Sequence, residues 1–237
     1  MRNPICHPTF LSVVLVAAFA ANGNLLAQES AATQPRNEAK TTQQKNVAIF
    51  IHEGVELLDF AGPAEVFAAA DRGRAFNVYA VAVTTEDILS QDFLTVKPQY
   101  TLANCPKPDI IVLPGGDTQV PLADDRVIAW IKESVEESEV IMSVCTGAFL
   151  LAKAKLLDNK EATTHWGSIE ALKKAAPTTK VHDNRRYVDN GQIVTCAGVS
   201  AGIDGALHVV DRLLGKQTAR DTARYMEYKW DETANGD

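Results

Sequence analysis

Short apolar runs rich in Val and Ile, at residues 46–52, 110–113 and 140–144, alternate with stretches whose apolar residues recur at helical spacing. A strand that is apolar along its whole length must be covered on both faces, as in a parallel sheet sandwiched between helices. Residues 76–83 read as a further strand. Residues 187–189 and 192–196 flank Asn190-Gly191, a strong hairpin-turn signal. Helical spacing covers 63–70, 124–137, 146–154, 167–175, 199–214 and 218–228. The segment 88–100 has the mixed character of a small hairpin beside the main sheet, and 162–164 that of a short strand. The expected fold is a three-layer α/β/α sandwich on a mostly parallel sheet, with ligands gathering at the carboxyl ends of the strands.

The chain of 237 residues is long enough to bury a core without disulfides, and the core is expected at 46–230. Ahead of it, Arg2, an apolar run over 10–21 and Leu25-Leu26-Ala27 before a polar stretch read as a cleavable signal peptide over 1–27. The expected location is periplasmic or secreted from a bacterium, with no membrane association after cleavage. The run is shorter than the roughly 20 residues a spanning helix needs, so a retained anchor is the weaker reading. Residues 28–45 are rich in Gln, Thr, Ala, Lys and Glu and read as a disordered linker. Residues 231–237 form a short acidic tail, too short for a helix-turn-helix. Lys and Arg number 23 against 30 Asp and Glu, a net charge of -7 that argues against nucleic acid as a partner.

Ser143-Val144-Cys145-Thr146-Gly147-Ala148 places a cysteine between an apolar strand and a small-residue helix start, in the manner of a nucleophile elbow. Unpaired amides at a helix start lower a thiol's pKa, so Cys145 is expected to be an activated nucleophile. The amide of Thr146 and one from Pro114-Gly115-Gly116 are expected to receive developing negative charge, glycine permitting close backbone approach. The competing reading of Cys145 is a buried structural cysteine at a tight turn.

Two motifs stand early in the chain, Leu58-Asp59-Phe60-Ala61-Gly62-Pro63-Ala64-Glu65-Val66-Phe67 and Ile111-Val112-Leu113-Pro114-Gly115-Gly116. Val144-Cys145-Thr146-Gly147-Ala148, Ala162-Thr163-Thr164-His165-Trp166, Gly198-Val199-Ser200-Ala201-Gly202-Ile203-Asp204 and Met226-Glu227-Tyr228 follow. In these motifs and their order the chain resembles the ThiJ/PfpI superfamily, related to class I glutamine amidotransferase domains. Within the superfamily the likeness is to isonitrile hydratases and to the sensor domains of AraC-type regulators. It implies a flavodoxin-like fold, a homodimer and a small-molecule ligand. It also implies that Asp59 lies against the Cys145 sulfur, and burial there raises a carboxyl pKa so that Asp59 serves as proton donor. Capping of a helix that begins near Pro63 is the alternative for Asp59. Thr146 stands where the protease-like branch has histidine, which counts against peptidase activity.

The candidate site is therefore Cys145, Asp59 and Thr146 as catalytic residues, with Gly115, Gly116 and His165 binding substrate. For His165 a hydrogen-bonded structural role is an equal alternative. Asp204 is expected to be architectural or a dimer contact. Neither a metal nor a cofactor is expected, since zinc-ligand spacing, a P-loop and a dinucleotide fingerprint are all missing from the sequence. Cleavage of residues 1–27 would remove Cys6 and leave Cys105, Cys145 and Cys196, an odd number in an oxidising compartment, and a Cys105 to Cys196 disulfide is left open. Three functions fit: a cysteine-dependent hydratase of isonitrile type, a non-catalytic small-molecule sensor, or a redox or carbonyl-stress protein centred on Cys145.

Overall fold

The computed structural model describes residues 44–233, so the expected signal peptide, nearly all of the expected linker and residues 234–237 lie outside the described residues. Each apolar run forms a strand, because its β-branched residues fit a pleated surface covered on both sides. β1 (Lys45–Phe50) leads to α1 (Leu57–Ala69), β2 (Phe76–Ala82), a hairpin of β3 (Ile88–Ser90) and β4 (Leu94–Val96), then β5 (Tyr100–Thr101) and β6 (Ile110–Leu113). Next come α2 (Gln119–Ala123), α3 (Asp125–Val135), β7 (Val140–Val144), α4 (Ala148–Lys153), β8 (Glu161–Ala162), α5 (Ile169–Ala175) and β9 (Lys180–Val181). β10 (Tyr187–Asp189), β11 (Ile193–Cys196), α6 (Ala201–Leu214) and α7 (Lys216–Tyr225) complete the domain.

The main sheet has seven strands in the order β10-β11-β7-β6-β1-β2-β5, with only the β10–β11 pair antiparallel. Its register lines up two apolar rows. Ile49, Val112, Met142 and Val194 stand opposite one another on the face that α1, α6 and α7 cover through Phe67, Leu207 and Ala219. Ala48, Ile111, Ile141 and Ile193 form the matching row on the other face, beneath Ile131 of α3, Leu150 of α4 and Leu172 of α5. The three expected layers are present, and every residue of both rows is buried.

From β1 the chain builds outward to β2 on one side and returns to place β6 on the other. Such a reversal opens a crevice at the carboxyl ends of the two strands, the usual ligand position in a doubly wound sheet. The loops after β1, β6 and β7 all open at that end.

Two boundaries differ from expectation for a physical reason. α1 starts at Leu57, six residues ahead of Pro63, which lies inside the helix. The entry is fixed earlier, because Val55 bridges Gly116 and the Glu56 amide donates to the Gly115 carbonyl at 3.0 Å. Pro63 can supply no N–H to the Asp59 carbonyl, so α1 goes without that hydrogen bond. At the other end, Trp230 packs on the core and Glu232 of the expected tail pairs with Arg220 at 2.6 Å, so the fold extends past residue 230.

Candidate active site

β7 is buried along its whole length and ends at Val144. Cys145 then turns with φ +57° into a single 3₁₀ turn, residues 145–147, that runs into α4. Left-handed backbone is uncommon for cysteine and persists only where surrounding contacts dictate it. Here the Cys145 amide donates to the Ala197 carbonyl at 2.9 Å, while its carbonyl accepts from the Thr164 hydroxyl at 2.7 Å. Gly147 lies directly on the Leu113 carbonyl, with no room for a Cβ. Gly147→Ala is expected to lower stability by about 3 kcal/mol, because backbone on both sides must move. Urea denaturation checks this, and an unchanged midpoint would show that the end of β6 yields freely.

Asp59 stands in the first turn of α1, with its side chain fully buried. One carboxylate oxygen accepts from the Gly115 amide at 2.9 Å and the other from the Val199 amide at 3.1 Å. The Cys145 side chain interacts with the same carboxylate. The side chain therefore caps another loop rather than its own helix, and the capping alternative does not hold. Burial, opposed by the Gly115 amide and reinforced by the charge of Glu56, pushes the Asp59 pKa up to about 7. Gly115 has no side chain because there is no space for one: a Cβ there would sit 2.5 Å from the Thr146 hydroxyl and 2.9 Å from Asp59.

The thiol departs from the sequence expectation. Burial, and after it the Asp59 charge, push Cys145 up to about 12, outweighing the opposing pull of the Thr146 amide and hydroxyl. A short 3₁₀ turn closed in by a carboxylate does not act as the exposed helix start that lowers a thiol's pKa. The resting pair is a neutral thiol against a carboxyl poised near neutrality.

The loop amides are also spoken for. Gly115 donates to Asp59, and Gly116 donates to the Thr146 hydroxyl at 3.1 Å while its carbonyl accepts from that hydroxyl at 3.2 Å. Of the amides expected to receive negative charge, the Thr146 amide and one from Pro114-Gly115-Gly116, both glycine amides have partners within the site, and the Thr146 amide interacts with the sulfur.

His165 lies outside this cluster's hydrogen bonds. Its Nδ1 accepts from the Gly167 amide at 3.2 Å, which leaves the proton on Nε2 of the neutral ring, and the ring lies against Gly198 beside Val199. Trp166, 81% exposed, stands next to it with ring centroids 5.4 Å apart. Asp204 is architectural: it is buried, bound by Arg186 and by the Tyr228 hydroxyl at 2.9 Å, and joins α6 to the end of the chain. Cys105 packs on the α3 side of the sheet and Cys196 on the α6 side, so they cannot pair, and all three described cysteines are free.

Two residues of the cluster escaped sequence reasoning. Val199 adopts φ +54°, a genuine outlier for a β-branched residue, to aim its amide at Asp59. Thr164 is buried with its hydroxyl on the Cys145 carbonyl. Both fall inside motifs noted in the sequence, but nothing in a residue type announces a left-handed valine or a hydroxyl reaching a carbonyl 19 residues away.

Comparison with known proteins then places this geometry. The DJ-1/PfpI family model matches residues 45–212, most of the chain. The chain belongs to the DJ-1/PfpI family. This DJ-1/PfpI protein is 33% identical over 184 residues to an isonitrile hydratase of Pseudomonas putida, covering 77% of this chain and 78% of that one. It is 26% identical over 169 residues to the HTH-type transcriptional regulator CdhR of Pseudomonas aeruginosa, spanning 70% of this chain but only half the regulator's length. Among solved structures, a THiJ/PfpI family protein from Pseudomonas syringae superposes with a TM-score of 0.73 at 27% identity, over 84% of this chain and 82% of that one.

Proposed function

We propose that this DJ-1/PfpI protein is a cysteine-dependent hydratase that adds water to an isonitrile or a similar small electrophile. The observation that carries the reading is the buried Asp59–Cys145 pair, in which a carboxyl of raised proton affinity faces a neutral thiol. The likeness to an isonitrile hydratase at 33% identity supports it.

In this reading Asp59 gives its proton to the terminal isonitrile carbon. The Cys145 sulfur bonds to that carbon, and the thiol proton passes to the Asp59 carboxylate, leaving a thioimidate. Water adds to the thioimidate carbon, the C–S bond breaks, the sulfur regains a proton and an N-substituted formamide leaves. Atoms balance as isonitrile plus water to formamide. The Thr146 amide steadies charge on the sulfur side throughout. Because the first step uses the protonated carboxyl, kcat/KM is expected to fall as pH rises through about 7.

The test is turnover of a simple alkyl isonitrile by the purified domain. Formamide in many equivalents per protein supports the hydratase. Binding without product beyond one equivalent favours the second reading, a ligand sensor, which the likeness to a transcriptional regulator motivates. The proposal further takes the protein to be exported by its leader and to act as a homodimer on small molecules, outside the cytoplasm and away from nucleic acid.

A further inference from the structure

The peptide unit between Cys145 and Thr146 has two ends with different partners. Its carbonyl accepts from the Thr164 hydroxyl at 2.7 Å and from the Ala148 amide, while its N–H faces the Cys145 sulfur. A peptide unit is rigid, planar and trans, so holding the oxygen on one side fixes the direction in which the N–H points on the other. A donor on the carbonyl also polarises the unit and strengthens the N–H as a donor.

Thr164 is itself a fixed post. Its neighbour Thr163 donates its amide to the Thr195 hydroxyl at 2.9 Å and its own hydroxyl to the His182 carbonyl at 3.0 Å. The segment is thus tied to β11 on one side and to the loop after β9 on the other, and the buried Thr164 hydroxyl is aimed inward at the elbow.

We propose that Thr164 is a positioning residue that, through the Cys145 carbonyl, aims and polarises the Thr146 amide onto the sulfur and onto the adduct that forms there. The inference rests on the reading of Cys145 as the nucleophile. It deepens that reading by placing part of the site's charge stabilisation on a residue that touches neither substrate nor sulfur.

The test compares Thr164→Val, which keeps the shape and removes the hydroxyl, with Thr164→Ser, which keeps the hydroxyl. The reading is the rate of Cys145 alkylation by iodoacetamide across pH, which needs no substrate. The Ala148 amide still satisfies the carbonyl in the valine variant, so the fold is expected to hold. Thr164→Val is expected to slow alkylation about tenfold and to move its pH profile upward, with the serine variant within about twofold of the parent. Where isonitrile turnover is measurable, kcat is expected to fall with KM little changed.

A folded valine variant with the parent's alkylation profile overturns the proposal, as does a serine variant that restores nothing. If the valine variant does not fold, Thr164→Ala is read by the same criteria. If alkylation falls as expected but no protein makes formamide, the hydratase reading fails while the positioning role stands.

Discussion

Cys145→Ala is expected to reduce formamide production at least about a thousandfold, to the level of the uncatalysed reaction, because the thioimidate has no sulfur on which to form. The variant is expected to stay folded. Alanine accepts the elbow's left-handed backbone no worse than cysteine, and the Ala197 and Thr164 contacts run to the main chain, which the substitution leaves in place. Near-parental thermal stability therefore separates loss of chemistry from loss of structure. Residual turnover above about one per cent of the parent would move the nucleophile elsewhere. Cys145→Ser adds a control, since a hydroxyl fills the same space with a far higher pKa.

Asp59→Asn is expected to cost at least about a hundredfold in kcat/KM and, at the same time, to change how stability depends on pH. The sign follows from linkage. A carboxyl whose pKa rises from 3.8 unfolded to about 7 folded binds its proton more tightly in the native state. Its contribution is fully present below the unfolded value and is lost as pH climbs through the folded one. Asparagine has no such loss. It keeps an oxygen for only one of the Gly115 and Val199 amides, which costs about 1–3 kcal/mol at every pH. The variant is therefore expected to be the less stable protein near pH 5, with the gap closing or reversing by pH 8. Urea denaturation of both proteins at the two pH values measures it. A gap that does not change with pH would show that Asp59 titrates normally, and would remove the basis for its role as proton donor.

The sheet was the most legible part of this chain, because a run such as Ile110–Leu113 admits few other fates than a strand buried on both faces. The elbow was legible for a similar reason: an apolar strand, then a cysteine, with a glycine two residues on, constrain the backbone locally. What the sequence concealed was whatever depends on partners distant along the chain. Pro63 reads as a helix start from its neighbours alone, and only the bridge from Val55 to Gly116 shows why α1 begins earlier and carries Asp59 on its first turn. The direction of the Cys145 shift was misjudged because the expected helix start was given more weight than burial and the Asp59 carboxylate, which together outweigh it. The partners of the Gly115 and Gly116 amides within the site were not legible either, since an acceptor is a matter of tertiary approach.

The hydrogen bond from the Val199 amide to Asp59 spans 140 positions along the chain. Synthesis proceeds from the N-terminus, so Asp59 and Cys145 are both made before Val199. A polypeptide emerging from a ribosome thus presents its elbow cysteine before the segment that completes the clasp around it has arrived. Until that segment docks, the clasp on the Asp59 carboxylate beside the sulfur is incomplete. The clasp on the Asp59 carboxylate is in this sense the part of the site that synthesis supplies last.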